Sequence, residues 1–489
     1  MQYFSTRNEK VRYSAAQAMA MGLAPDGGLF VPESIPAVSP EELQKLCNMD
    51  YRGRAVNIMQ RFLEEYSSEE LQDFAAHAYA ENYDHPEIAP LHFTDDATAY
   101  LELWHGPTCA FKDMALQMLP YLLTSSLKKN GEERQVCILV ATSGDTGKAA
   151  LEGFADVPGT RIFVFYPDGG VSKIQRLQMV TQSGGNVGVC AVKGNFDDAQ
   201  TGVKKIFGDA EFAAELTKRG WFLSSANSIN WGRLLPQIVY YFSAYCDYVN
   251  SGKIRMGDKI NFCVPTGNFG NILAGWFAKQ MGLPVKRFLC ASNANNVLTD
   301  FFGTGVYDKN RTFHLTISPS MDILVSSNLE RLLYMLCGDT ATAGFMMELS
   351  SDGKYDIGAE MLARIRSDFS AECCDDGETC KKIAAVWKES AYLIDTHTGV
   401  AAAALDKYRN ATGDGTPTVI VSTASPFKFA ADVCGALGAD AGDDPLAALS
   451  EYCDLPVPKP LSGLDARTVR FDGVSDKNAM RNVVDGFIR

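Results

Sequence analysis

One amine in this chain sits where covalent chemistry is possible. The stretch His105-Gly106-Pro107-Thr108-Cys109-Ala110-Phe111-Lys112-Asp113 opens an apolar run that continues through Met114, Leu116, Met118 and Leu119. Gly106 and Pro107 interrupt whatever precedes them, and Thr108 suits a helix N-cap. Lys112 is therefore expected in the first turn of a helix, among apolar side chains. An ammonium held there is costly, so its pKa should fall. A neutral amine can attack a carbonyl and form a Schiff base. On this stretch alone, a surface lysine is an equally good reading.

Other segments supply partners for such an amine. Gly267-Asn268-Phe269-Gly270-Asn271 lies between an apolar strand and a helix start. Its glycines allow backbone N–H groups to face a phosphate, and the helix dipole favours the anion. A tight strand–helix turn is the plainer alternative. Thr142-Ser143-Gly144-Asp145-Thr146 is rich in hydroxyls, also opens a helix, and suits a carboxylate. Gly147-Lys148 follows, but Thr142 and Ala149 stand where a nucleotide-binding P-loop needs Gly and Ser or Thr. Asn227-Ser228-Ile229-Asn230-Trp231-Gly232-Arg233 joins amides, a hydroxyl and a guanidinium, whose forked donors suit a dianionic phosphate. A surface loop capping a helix end is its competing reading. Thr423, at a strand end, could donate to a ring nitrogen. Together, an activated lysine and a glycine-loop anion site suit pyridoxal 5'-phosphate. The remaining groups would hold a substrate bearing a carboxylate and a phosphate.

These groups need rigid elements behind them. From Tyr100 onward, short apolar strands (136–140, 162–166, 187–192, 260–264, 288–291, 418–421) alternate with amphipathic helices, the pattern of an α/β protein with mainly parallel sheets. Four of the strand ends carry polar or glycine-rich turns, and ligands bind at that edge of open α/β sheets. Helix 172–181 is expected to turn Lys173, Gln175 and Arg176 outward. Helix 234–248 is read as aromatic on one side. The acidic stretch 372–378 reads as a solvated loop and 439–467 as a loose crossing.

Bulk properties narrow the class. The 489 residues suffice for two or three domains, and 46% hydrophobic content can build a large core. A net charge of −14 argues against nucleic acid or an anionic membrane as partner. An odd count of 13 cysteines, mostly inside apolar runs, is the pattern of reduced core thiols. Cys373, Cys374 and Cys380 cluster without a zinc spacing, so no metal is expected. Residues 1–10 lack the apolar core of a signal peptide, and no run approaches a bilayer span, so a cytoplasmic location is expected.

The motifs around Lys112, Thr142–Gly147, Asn227–Arg233, Gly267–Asn271 and Ser422-Thr423-Ala424-Ser425-Pro426-Phe427-Lys428-Phe429, with Asp26-Gly27-Gly28-Leu29-Phe30-Val31-Pro32 before them, occur in an order that resembles the threonine synthases, within the fold-type II pyridoxal-phosphate enzymes. That resemblance implies a tryptophan-synthase-β-like α/β fold with two open, mainly parallel sheets flanked by helices, and an N-terminal family-specific domain. It implies residues 1–93 as that domain, 94–134 and 249–440 as a large cofactor domain, 135–248 as a smaller mobile domain, and 441–489 as a C-terminal extension. Lys112 would hold the cofactor as a Schiff base, flanked by Phe111. Gly267, Asn268, Phe269, Gly270 and Asn271 would hold its phosphate, Asp145 would face the ring hydroxyl, and Thr423 the ring nitrogen. Thr142, Ser143 and Thr146 would bind the substrate carboxylate, and Asn227, Ser228 and Arg233 its phosphate. Asp145 stands where many fold-type II relatives carry Asn, but threonine synthases often carry Asp, which agrees with the resemblance. Ser425 stands where many relatives carry His, so a role for that His does not transfer.

The reaction implied is O-phospho-L-homoserine plus water to L-threonine plus phosphate, by a monomer or weak homodimer. Two alternatives compete. A serine/threonine dehydratase on the same fold would need no substrate-phosphate site. A cofactor-binding homologue without catalysis would bind the cofactor and release no phosphate.

Overall fold

The computed structural model of the protein describes residues 1–142 and 144–489. Two parallel sheets dominate it. One has six strands in the order Phe369–Cys373, Val285–Ser292, Ile260–Pro265, Thr418–Ser422, Thr98–Glu102 and Leu91–Phe93, and only the last pair runs antiparallel. The other has five, Val474–Asp476, Val187–Lys193, Thr160–Pro167, Gln135–Ala141 and Trp221–Ser224, all parallel. Central strands such as Val136 to Val140 are buried end to end. That follows from helices covering both faces, and it is why these strands read as unbroken apolar runs. An antiparallel three-stranded sheet of Asn8–Tyr13, Tyr3–Ser5 and Phe30–Pro32 precedes them. Among the described residues no helix is long and apolar enough to cross a membrane.

The helix Trp231–Asn250 is the central packing element. The sequence reading gave it one aromatic side, yet nearly all of it is buried. Helices Pro40–Cys47 and Tyr51–Gln60 cover one flank, and Gly270–Gln280 covers another. A helix that is apolar on every side belongs in a core.

Three further expectations are corrected. Within 372–378, Phe369–Cys373 is an edge strand, and Asp375 with Glu378 forms a capping box for the helix Asp376–Ser390. An edge strand tolerates charge, and the Asp-x-x-Glu spacing is a helix start signal. The segment 439–467 contains the helix Pro445–Cys453, capped by Asp444. Beyond it, Val474–Asp476 extends the five-stranded sheet, and the helix Met480–Ile488 packs Phe487 at 5.0 Å from Phe163. Finally, Gln175 is buried rather than outward.

The two sheets are joined close to Lys112. The short helix Asp113–Leu116 lies against the helix Asp145–Phe154, and a Cβ on Gly153 would sit 2.1 Å from the Leu116 carbonyl oxygen. Backbone cannot yield as a side chain can. Gly153→Ala should therefore lower the thermal-unfolding midpoint, with an overpacking cost of about 1–3 kcal/mol. An unchanged midpoint would show that the two helices are not in backbone contact.

Candidate active site

Lys112 is set by a loop rather than by a helix cap. The helix starts at Asp113, one residue later. Thr108 is not its N-cap. Its N–H and hydroxyl donate to the Asp113 carboxylate at 2.8 and 2.7 Å, which ties the loop back on itself. The loop is then laced to the end of the strand Thr418–Ser422. The Phe111 N–H donates to the Thr423 carbonyl at 2.8 Å, and the Ser425 N–H to the Cys109 carbonyl at 3.0 Å. This lacing carries Lys112 into a cavity of about 640 Å³. Four strand ends open onto it, those leading to Thr142, Ser225, Thr266 and Thr423, and Phe111, Thr146 and Asn227 line it as well. Burial pulls the Lys112 pKa down to about 8. Asp145 opposes that shift, while Arg233 and Lys428 add to it.

Asp145 lies buried behind Lys112 and Ser320, which line the cavity. Its Oδ1 accepts from Lys428 Nζ at 2.7 Å and from Gln175 Nε2 at 3.0 Å. Its Oδ2 accepts from Ser320 Oγ at 3.3 Å and faces Lys112 Nζ at 3.5 Å. Burial alone would raise its pKa, but the ammoniums of Lys428 and Lys112 outweigh that and hold the carboxyl well below the usual range. Ser320 is placed in turn by His397, whose Nε2 accepts the Ser320 N–H at 3.2 Å while Nδ1 lies 2.7 Å from Asp395.

The glycine loop fits a phosphate. Phe269 adopts φ 63°, a left-handed conformation that costs a non-glycine residue roughly 1–3 kcal/mol. Asn328 holds the loop by donating through its N–H and Nδ2 to the Asn268 carbonyl at 3.2 and 3.0 Å. Gly267 must be glycine, because a Cβ there would approach the Ser320 carbonyl to 2.8 Å. Asn271 supplies the clearest sign of a missing partner. Its Oδ1 accepts the Tyr240 and Tyr241 hydroxyls at 2.6 and 2.7 Å, which fixes the amide orientation. Its buried Nδ2 has no partner among the described residues. A buried donor left free at a helix start is suited to an anion.

A second cationic site adjoins the first. Arg233 is 5% exposed and donates to the Ala226 carbonyl at 2.9 Å, with no carboxylate paired to it among the described residues. Burial lowers its pKa to about 10. Ser228 abuts the glycine loop, since a Cβ on Gly270 would lie 3.7 Å from the Ser228 Cβ. Arg331, fully buried, clamps the two segments by donating to the carbonyls of Ser228 and Ile229 and to Asn328 Oδ1. Thr142 is partly committed: its Oγ1 accepts from the N–H groups of Gly144 and Gly147, both at 2.9 Å, so its own proton remains for a ligand. Ser143 lies outside the described residues.

Five residues of the site were not read from the sequence. Lys428 lay in a quoted motif without a role, although its apolar neighbours Phe427 and Phe429 repeat the signal that marked Lys112. Gln175 was read as outward because a lone polar residue on a helix carries no sign of what faces it. Ser320, His397 and Arg331 come from loops or helices with no local signature.

A family model described as threonine synthase N terminus matches residues 2–79, one for pyridoxal-phosphate dependent enzymes matches 99–424, and one for the threonine synthase C-terminal region matches 398–484. Threonine synthase-like 1 of Homo sapiens is 41% identical over 435 residues, and the match covers 86% of this chain but 58% of that protein, so the chain spans little more than half of its length. Threonine synthase of Pseudomonas aeruginosa is 39% identical over 435 residues, covering 88% and 89% of the two chains. The crystal structure of a threonine synthase from Brucella melitensis with bound pyridoxal phosphate superposes with a TM-score of 0.89 at 36% identity, covering all of both chains.

The lowered pKa gives Lys112 a measurable pH dependence. Only the neutral amine reacts, so pyridoxal phosphate should load faster as pH rises, levelling off above about 8. A rate that climbs steadily toward pH 10.5 would place the amine in ordinary solvent.

Proposed function

The chain belongs to the threonine synthase family of pyridoxal-phosphate-dependent enzymes, and from that premise we propose that it converts O-phospho-L-homoserine and water to L-threonine and phosphate. The observation that carries this reading is two adjoining anion sites in one cavity. One is the free Asn271 amide at the glycine loop, and the other is Arg233, a buried guanidinium with no carboxylate among the described residues. An unpaired buried cation destabilises the fold and is retained where an anion comes to meet it. The cofactor's phosphate accounts for the first site. The second calls for a substrate with its own phosphate, which a simple amino acid lacks.

We assign Lys112 to the cofactor's aldehyde, Gly267 to Asn271 to its phosphate, Asp145 to the ring hydroxyl, Thr423 to the ring nitrogen, and Phe111 to the ring's flank. When bound, the cofactor supplies a conjugated sink for the charge that develops beside the amino group of the substrate. Lys112, freed by the substrate's amine, is neutral enough near pH 8 to take and return the proton at Cα. Asn227, Ser228 and Arg233 grip the departing phosphate and stabilise its growing charge. Thr142, Ser143 and Thr146 are assigned to the carboxylate.

Purified protein should release phosphate from O-phospho-L-homoserine and form threonine. Lys112→Ala should lose the cofactor's visible absorbance and the activity together. Arg233→Ala should keep the absorbance and raise KM by roughly 10- to 150-fold, the loss of a charged hydrogen bond worth about 1.5–3 kcal/mol. Turnover of serine or threonine without turnover of the phosphorylated substrate would favour a dehydratase instead. Colour without any turnover would mark a cofactor-binding protein that does no chemistry.

A further inference from the structure

Lys428 is a second lysine at the site, and none of the roles assigned above uses it. It is wholly buried, at 0% exposure, in the turn Pro426–Phe429 that follows the strand Thr418–Ser422. Among the described residues its Nζ has two partners, Asp145 Oδ1 at 2.7 Å and the Thr108 carbonyl at 2.9 Å. With Gln175 it fills one oxygen of Asp145 from the protein side, and leaves the other facing Ser320 and Lys112 in the cavity. Further charged or titratable groups near this pair are Arg233 across the cavity, Asp113 behind Thr108, and the buried Cys109 thiol.

A bare carboxylate is a poor neighbour for a phenolic oxygen that carries negative charge, and it would over-stabilise any positive charge on the nitrogen of Lys112. An asparagine at this position would present no such charge. We propose that Lys428 is a positioning residue that cancels the charge of Asp145, so that the buried pair acts toward the cofactor as a neutral hydrogen-bonding group. The inference rests on the pyridoxal-phosphate reading of the cavity. Lys428 also lowers the pKa of the free Lys112 amine, in the same sense.

The test compares the holoenzyme with Lys428→Met and with the double variant Asp145→Asn/Lys428→Met. Its readout is the pH at which the visible band of the lysine-bound cofactor titrates. In Lys428→Met the uncompensated carboxylate should move that midpoint up by roughly 1–3 pH units, the range for a nearby opposite charge. The double variant, with both charges gone, should titrate close to the parent. A single variant with an unmoved midpoint but lower thermal stability would overturn the proposal and leave Lys428 as an anchor for Thr108 alone. If the single variant does not fold, the double variant decides: a midpoint near the parent's supports charge cancellation, and a displaced one refutes it. A colourless parent protein would instead remove the cofactor reading on which the inference stands.

Discussion

The carboxylate of Asp145 is the point on which the site depends. It begins a helix that follows a strand of the five-stranded sheet, while Lys112 and Lys428 sit on segments laced to the six-stranded one. One side chain therefore joins the two sheets and sets the charge felt by the amine. A buried carboxylate without partners would be strongly unfavourable. Here two lysines, an amide and a hydroxyl reach its two oxygens, so the charge is kept and its direction is fixed.

The same logic extends across the cavity. A chain with a net charge of −14 places Lys112, Lys428, Arg233 and Arg331 around one hollow, with Asp145 as the carboxylate between the two lysines. Each cation is turned by a backbone carbonyl or a neutral side chain into a defined orientation. Arg331 is spent on structure, holding the Ser228 and Asn328 segments together. Arg233 is not: among the described residues its guanidinium donates to a single carbonyl, and it lines the cavity. The free Asn271 amide makes the same point at the glycine loop. Among the described residues neither group meets a carboxylate or other acceptor that would complete it, and both are suited to an anion.

Much of this was legible in the sequence because the signals are local. Strand 136–140 is a continuous apolar run, and the glycine loop and the lysine stretch each sit at a strand–helix junction, so the order of motifs carried both the fold class and most of the lining. The failures are equally instructive. Thr108 has the side chain of an N-cap, but Asp113 competes for its hydrogen bonds and wins. Glu378 was taken as part of a solvated acidic stretch, although its spacing from Asp375 is that of a capping box. Gln175 looked like surface until a carboxylate 30 residues earlier in the chain proved to face it.

By itself the sequence determined which groups are present and roughly where each one rides: an amine beside a helix start, glycines at a helix start, an arginine close to the start of a long helix. Those follow from propensities and spacings within a few residues. Only the tertiary structure decided which charges meet. The pairing of Asp145 with Lys428 spans 283 positions, and that of Ser320 with His397 spans 77. Such contacts depend on how two sheets are set against each other, and burial, which fixes whether a lysine is charged, is a property of that packing and of no segment alone.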